Sequence, residues 1–73
     1  MKNTHREKLK ILRLKKVKDR TGLSRSTIYL RIQKGTFPRP INLGARAVGW
    51  IETEIQHWLT SCLESRDSGK EVQ

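Results

Sequence analysis

Cationic and hydroxyl side chains lie close together in the segment "TGLSRSTIYLRIQKGTFPRP", residues 21–40, and no acidic residue interrupts them. Guanidinium and ammonium groups donate hydrogen bonds to phosphate oxygens, and small hydroxyl side chains allow a helix to approach a partner closely. These residue types point to binding of a polyanion rather than to catalysis. Together with one arginine further along the chain, the candidate binding residues are Arg25, Ser26, Thr27, Tyr29, Arg31, Lys34, Arg39 and Arg46.

The net charge of +9 is distributed unevenly along the 73 residues. Residues 1–20 carry nine Lys or Arg against two acidic residues, and residues 21–50 carry five against none. Residues 51–73 reverse the balance, with five acidic residues against two basic ones. A chain that is basic in one part and acidic in another presents one face to a polyanion, which favours a nucleic acid as the partner.

Nothing in the sequence favours catalysis, a metal or a cofactor. We find no nucleophile–base pair, no phosphate-cradling glycine loop and no paired carboxylates. His5 and His57 lack the spacing of metal ligands, and the single cysteine, Cys62, has no partner for an intrachain disulfide. We therefore expect a protein that is not an enzyme and that binds neither a metal nor a cofactor.

The composition along the chain predicts one domain with polar ends. We expect a basic disordered arm at residues 1–10, a folded domain at residues 11–64 and a disordered tail at residues 65–73. The apolar runs are too short for a membrane span, and no apolar segment follows the basic N-terminus as it would in a secretory signal. A cytoplasmic protein without a membrane partner is the expectation.

Two short helices are predicted at the start of the domain. "ILRL" reads as a short extended piece that leads into a helix at residues 15–21, and Gly22 ends that helix. Ser24 is a good N-cap for a second helix at residues 25–34, which Gly35 ends. Because only "GLS" separates the helices, they must meet at a sharp angle, as in a helix-turn-helix whose second helix enters the major groove.

At 100° per residue, Ile28 and Ile32 share the buried side of the second helix, flanked by Arg25 and Tyr29. The outward side then takes the remaining polar residues and one leucine: Ser26, Thr27, Leu30, Arg31 and Lys34.

The segment after the prolines predicts a β-hairpin. Strands are expected at residues 40–43 and 47–51, around a turn at residues 44–46 that carries Arg46. A two-stranded hairpin is not stable alone, so its apolar residues are expected to pack part of it onto the helices: Ile41, Leu43, Val48 and Trp50. Beside a helix-turn-helix, such a hairpin is a wing, and Arg46 at its tip is placed for phosphate or the minor groove.

"TEIQHWLTSCLES" predicts a final amphipathic helix that begins with a capping box between Thr53 and Gln56. Its apolar residues follow the spacing of one helix face, and all are expected in the core: Ile55, Trp58, Leu59, Cys62 and Leu63. His57 lies off this face and is expected at the surface. The fold class is therefore mainly α with a small β-hairpin, a winged helix-turn-helix of about three helices and a two-stranded wing.

The segments "TGLSRSTIY", "KGTFPRPINLG", "RAVGW" and "ETEIQHWL" occur here in an order and spacing that resemble the AlpA family of phage and prophage regulators. The resemblance covers most of the chain, from Leu12 to about Leu63. It implies a winged helix similar to those of phage excisionases and MerR regulators, in a bacterial cell and at the nucleoid when bound. It also implies control of mobile-element genes, and supports Ser26, Thr27, Tyr29 and Arg46 as contact residues.

The sequence departs from the family pattern after the tyrosine, where Leu30 precedes Arg31. If Leu30 faces the groove, it can meet a thymine methyl group. If the helix is rotated slightly, Leu30 is buried and Arg31 makes the contact instead. The sequence leaves both orientations open.

Three functional hypotheses follow from these observations. The first is a sequence-specific regulator of transcription that binds double-stranded DNA. The second is an excisionase-like architectural factor that assists a recombinase or integrase, and the third is a protein-interaction inhibitor of a regulator. Since one small module covers little DNA, a homo-oligomer or several copies on adjacent sites are expected. The sequence shows neither a heptad repeat nor a large spare apolar patch through which copies would meet.

Overall fold

The computed structural model describes residues 9–68, which form three helices and a three-stranded antiparallel sheet. The elements follow one another as β1 (Ile11–Leu12), α1 (Leu14–Thr21), α2 (Arg25–Lys34), β2 (Ile41–Gly44), β3 (Ala47–Ile51) and α3 (Glu52–Asp67). The mainly α, winged-helix architecture predicted from the sequence is confirmed. Most of the predicted arm and the end of the predicted tail lie outside the described residues, and α3 continues to Asp67, past the expected boundary at residue 64.

Helix α2 begins and ends, and helix α1 ends, where the capping residues predict, whereas α1 begins at Leu14, one residue before the predicted start. Gly22 follows α1 with a left-handed φ of 75°, and its N–H donates to the carbonyl of Lys18 at 2.8 Å. Ser24 caps α2, and Gly35 ends it with a φ of 78°. Since glycine adopts this conformation without steric cost, both helices stop at one residue and the connection between them stays short.

The sheet contains one strand more than the predicted hairpin. β3 lies in the centre, paired with β2 on one side and with β1 on the other. The extended piece "ILRL" therefore contributes a paired strand in which Ile11 lies opposite Ile51 and Leu12 lies opposite Trp50. A third strand anchors the base of the wing to the segment that leads into α1.

The core lies between one side of the sheet and the three helices. Its buried side chains come from β1, the three helices, the loop after α2 and β3, but not from β2: Leu12, Val17, Ile28, Phe37, Trp50 and Ile55. The indole N–H of Trp50 donates to the carbonyl of Pro38 at 3.0 Å, so this buried polar group is satisfied. Trp58 packs edge-on against Phe37 and donates to the carbonyl of Thr36 at 2.8 Å. The loop between α2 and β2 is thereby held by both tryptophans.

The expectation that the whole apolar face of α3 is buried is wrong. Ile55 is buried and Trp58 and Leu59 are half-buried, but Cys62 and Leu63 are exposed. A helix of 16 residues is about 24 Å long, and the short helices and strands beneath it cover only its first half. The apolar spacing therefore continues beyond the part of the helix that has something to pack against.

The predicted capping box of α3 does not form. The helix begins at Glu52, before Thr53, and no side chain caps it. The N–H of Glu52 donates instead to the carbonyl of Lys10 at 2.8 Å, in continuation of the pairing between β1 and β3. Because β3 runs directly into α3, the sheet satisfies the first backbone donor of the helix, which starts one residue before the predicted capping residue Thr53.

The expectation that Ile41 and Leu43 pack onto the helices with Val48 and Trp50 is also wrong. Both side chains of β2 are exposed, whereas Trp50 is buried and Val48 packs against the core. Ile41 pairs with Gly49, which places it on the opposite side of the sheet from Trp50. Within residues 9–68, no helix combines the length and the hydropathy that crossing a membrane requires.

Candidate nucleic-acid interface

Three hydroxyl groups meet at the beginning of α2. The Ser24 hydroxyl oxygen accepts the backbone N–H of Thr27 at 3.2 Å, and the Ser24 hydroxyl donates to the Thr27 hydroxyl at 3.0 Å. The Ser26 hydroxyl lies 3.4 Å from that of Ser24 and is exposed. Ser24 and Thr27 therefore hold the first turn of the helix, while Ser26 keeps bonding capacity for a partner.

The first turn of α2 is connected to the wing strand through aromatic contacts. The guanidinium of Arg25 lies 5.2 Å from the centre of the Tyr29 ring, an i, i+4 cation–π contact. The Tyr29 ring also meets the ring of Trp50 in β3 edge to face. Tyr29 is half-buried and Arg25 is exposed, so the packing of Tyr29 positions the Arg25 cation at the surface.

The exposed face of α2 contains Leu30, which rules out the orientation in which Leu30 is buried. Leu30 is 50% exposed, whereas Arg31 is half-buried. The carbonyl of Arg31 accepts the N–H and the hydroxyl of Thr36, which fixes the end of the helix. The helix therefore presents a large apolar side chain to solvent among polar neighbours.

Gln33 is a residue that the sequence analysis missed. It is exposed and lies three residues after Leu30 and seven after Ser26, which places all three on one stripe of the helix. Because Gln33 is uncharged, it does not belong to the cationic pattern of the sequence. Its helical spacing from Ser26 and Leu30 is the signal that predicts its place on this face. Lys34, next to Gln33 in the last turn, is exposed as well.

Arg46 lies exposed in the turn of the wing. Gly44 pairs with Ala47, which leaves Ala45 and Arg46 as the two residues that connect the strands. Arg46 has a left-handed φ of 64°, which few residues other than glycine adopt, and the Asn42 side chain accepts the N–H of Gly44 at 2.9 Å. The turn is therefore closed by its own hydrogen bond and carries the arginine at its end.

Arg39 is not brought together with the residues of α2. It lines a groove of about 690 Å³ between the loop that follows α2 and the first turns of α3. Its neighbours in this groove include Glu54 and His57, and no residue of α2 lines it. Of the eight predicted binding residues, the structure therefore gathers six on α2 and separates Arg39 from them. The remaining one, Arg46, lies in the wing.

The cations of α2 and the wing have no carboxylate partners within residues 9–68. The ion pairs in this part of the chain join Arg20 to Glu52 at 3.1 Å and Arg66 to Asp67 at 2.9 Å. Arg20 also donates to the Gln56 side chain at 3.0 Å, so it connects α1 to α3. Five of the predicted binding residues therefore carry a charge that no carboxylate within residues 9–68 pairs: Arg25, Arg31, Lys34, Arg39 and Arg46. The same is true of five cations before and within α1: Lys10, Arg13, Lys15, Lys16 and Lys18.

The sequence matches known proteins over most of the chain. Residues 10–63 match the family described as prophage CP4-57 regulatory protein (AlpA). The DNA-binding transcriptional activator AlpA of Escherichia coli (strain K12) is 42% identical over 62 residues, which covers 77% of this chain and 89% of that protein. The uncharacterized protein ORF88 of Enterobacteria phage P4 is 40% identical over 60 residues, which covers 82% of this chain and 68% of that one.

The family match spans β1, the helix-turn-helix, the wing and most of α3. Identity of 40% or more over this length is carried by the whole domain and not by the helix-turn-helix alone. The chain therefore belongs to the prophage CP4-57 regulatory protein (AlpA) family.

Proposed function

We propose that the chain is a sequence-specific regulator of transcription that binds double-stranded DNA and acts on phage or prophage genes. The observation that carries this proposal is the set of exposed cations on α2 and the wing that have no carboxylate partner within residues 9–68. The name of the Escherichia coli relative, a DNA-binding transcriptional activator, supports the same function.

In this proposal α2 is the recognition helix and lies in the major groove. Ser26, Leu30 and Gln33 face the base edges, because they form the stripe that is exposed along the helix. A leucine side chain fits against a thymine methyl group, and a glutamine amide pairs with the N6 and N7 atoms of adenine. The expected site therefore contains A·T base pairs opposite the middle and the end of α2.

The cations on either side of that stripe bind phosphates and fix the position of the helix. Arg25 acts at the first turn, held by the Tyr29 ring, and Lys34 and Arg31 act at the last turn. The Thr27 hydroxyl is partly engaged by Ser24, so we assign Thr27 a phosphate contact and not base recognition. Tyr29 donates its hydroxyl to a phosphate while its ring stays packed against Trp50.

The wing extends the contact beyond the major groove. Arg46 at its turn binds the adjacent phosphates or enters the minor groove, where a narrow groove attracts arginine. Arg39 contributes to the overall positive field, since its neighbours lie on α3. With four cations on phosphates, Arg25, Arg31, Lys34 and Arg46, the logarithm of the affinity should fall with the logarithm of salt concentration at a slope of about −4.

Selection of bound fragments from a pool of random duplexes tests the proposal. We expect enrichment of one short motif rich in A·T pairs, and tighter binding to it than to a scrambled duplex by about 10³-fold or more. A pool without an enriched motif, together with equal binding of both duplexes, would contradict sequence-specific recognition.

Transcription from a promoter that carries the selected motif then separates a regulator from an architectural factor. A regulator changes the output of that promoter when the chain is present without any recombinase. An architectural factor leaves the promoter unchanged and bends the motif strongly in a circular-permutation gel shift.

A further inference from the structure

The outward side of α1 is a second place where unpaired positive charge is concentrated. Three of its side chains are exposed lysines: Lys15, Lys16 and Lys18. Val17, which lies between them in the sequence, is buried and holds the opposite side of α1 against the core. No carboxylate within residues 9–68 pairs with any of the three lysines. The proposed contacts of α2 and the wing leave these lysines without a role.

The folded domain gains no stability from these charges. Lys15 and Lys18 are three residues apart on the helix, so two like charges lie close together and repel each other. The first turn of α1 contains no acidic residue, and Lys15 and Lys16 lie there at the positive end of the helix dipole. Asp19 is the one acidic residue of α1, and it forms no ion pair in the described part of the chain. Charges that lower stability and have no internal partner are suited to an external anion.

Arg20 shows which side of α1 faces α3. Its guanidinium donates to the carboxylate of Glu52, in the first turn of α3, at 3.1 Å. At 100° per residue, Lys16 lies about 40° from Arg20 around the helix axis. Lys15 and Lys18 lie about 140° and 160° from Arg20 and within about 60° of each other. These two lysines therefore share the side of α1 that faces away from α3, and we call them the α1 flank.

DNA can approach α1 from the side of the α1 flank. On the other side, Glu52 and Glu54 in the first turn of α3 repel phosphates. Only residues 22–24 separate α1 from α2, and a helix of eight residues is about 12 Å long, close to the width of the major groove. When α2 lies in the groove, α1 therefore lies over the phosphates that border it on one side.

We propose that Lys15 and Lys18 bind DNA phosphates that flank the selected motif, on the one side over which α1 lies. This inference rests on the proposed function, in which α2 occupies the major groove. Because phosphate contacts carry no sequence information, the α1 flank adds affinity and lengthens the DNA site without changing the motif. The site therefore extends past the motif by base pairs that any sequence can supply.

Binding of the full chain to motif duplexes that are trimmed from one side at a time tests this contact. On one side, trimming should make the dependence of log affinity on log salt shallower by about 2, because two phosphate contacts are lost. Lys15→Ala and Lys18→Ala should each weaken binding to the untrimmed duplex by up to about fivefold, as expected for an exposed charge pair. The double variant should no longer respond to trimming on that side.

Lys16→Ala is the matched control, since it removes the same charge from the same helix next to the side that faces α3. This variant should respond to trimming as the unmodified chain does. Asp19→Asn should tighten binding to the untrimmed duplex, because it removes a carboxylate four residues after Lys15. The thermal unfolding midpoints of Lys15→Ala and Lys18→Ala should not fall, so weaker binding by these variants is not caused by unfolding.

Three outcomes would each overturn the inference. They are unchanged binding of Lys15→Ala and Lys18→Ala, a double variant that still responds to trimming on both sides, and a Lys16→Ala variant that loses the response to trimming. The two lysine variants should also bind a scrambled duplex more weakly by the same factor, because its phosphates are the same. Equal binding of the motif and the scrambled duplex by the unmodified chain would instead contradict the proposed sequence-specific function. The scrambled duplex would still report the effect of the lysines in that case.

Discussion

The Tyr29 ring in α2 meets the Trp50 ring in β3 edge to face, with the ring centres 6.3 Å apart and the planes at 67°. Trp50 is fully buried and is fixed by its hydrogen bond to Pro38. The guanidinium of Arg25 lies over the same Tyr29 ring. Two aromatic rings thus hold the proposed recognition helix against the strand that carries the wing, so the two binding elements keep one relative position.

Trp50→Ala should destabilise the domain more than Trp58→Ala, although the sequence predicts both tryptophans to pack in the domain. Trp50 has no exposed surface, whereas Trp58 is half-buried. Removal of a buried tryptophan costs about 3–5 kcal/mol, which approaches the whole stability of about 5 kcal/mol of a small domain. Urea titration followed by circular dichroism measures both variants. A greater loss for Trp58→Ala would contradict the packing described here.

Gly49→Ala should lower the free energy of unfolding by about 1–3 kcal/mol, because the new methyl group collides with the side chain of Ile11 and approaches that of Leu43. Thermal or urea unfolding measures this change. Combined with Ile11→Ala, which removes the colliding methyl group, the glycine substitution should cost less than it does alone. If the losses of unfolding free energy in the two single variants simply add in the double variant, β1 does not approach β3 at this point.

Ser24→Ala should lower stability by about 1 kcal/mol, because the Ser24 oxygen accepts the N–H of Thr27 at the start of α2. Ser26→Ala is the matched control, since the Ser26 hydroxyl makes no contact with a backbone N–H and its loss should change stability by less than about 0.5 kcal/mol. The midpoints of chemical denaturation compare the two variants. Equal losses of stability in the two variants would show that the Ser24 side chain does not cap α2.

Arg31→Ala and Arg46→Ala should each weaken binding to the selected duplex without unfolding the domain. Each variant should also make the dependence of log affinity on log salt shallower by about 1, since one phosphate contact is lost. Fluorescence anisotropy across a salt series provides the measurement. Arg66→Ala serves as the control, because Arg66 is paired with Asp67 near the end of α3. If the dependence of log affinity on log salt is unchanged in both test variants, the contact surface does not lie on α2 and the wing.

Leu30→Ala should weaken binding at one base pair in particular. Replacing each thymine of the selected motif in turn by deoxyuridine removes only the C5 methyl group. At one position this change should weaken the binding free energy of the unmodified chain by up to about 3 kcal/mol. The binding of the Leu30→Ala variant should hardly change at that position. If no single thymine shows this difference, the exposed Leu30 does not read a methyl group.

Local signals in the sequence were sufficient for the helix-turn-helix and the wing. Ser24, Gly22 and Gly35 determine the ends of α1 and α2 through hydrogen bonds and backbone conformations that involve only neighbouring residues. The bounds of α2 were therefore predicted correctly, as was the position of Arg46 in the turn of the wing, although Gly44 belongs to β2 and not to the turn.

Features that depend on distant parts of the chain were not predictable in this way. The apolar spacing of α3 continues through Cys62 and Leu63, but their burial depends on how far the sheet extends beneath them. The side of the sheet on which Ile41 lies depends on its pairing with Gly49, and a shift of one residue reverses it. The exposure of the apolar side chains of Ile41 and Leu43, which the sequence did not predict, follows from that register.

Chemical-shift mapping of the full chain with the selected duplex tests the proposed interface most directly. We expect the amide signals of residues 24–34 and of the wing turn, residues 44–47, to move, while those of residues 59–67 in the acidic part of α3 stay in place. Shifts confined to α3, or no shifts with any duplex, would contradict binding through α2 and the wing.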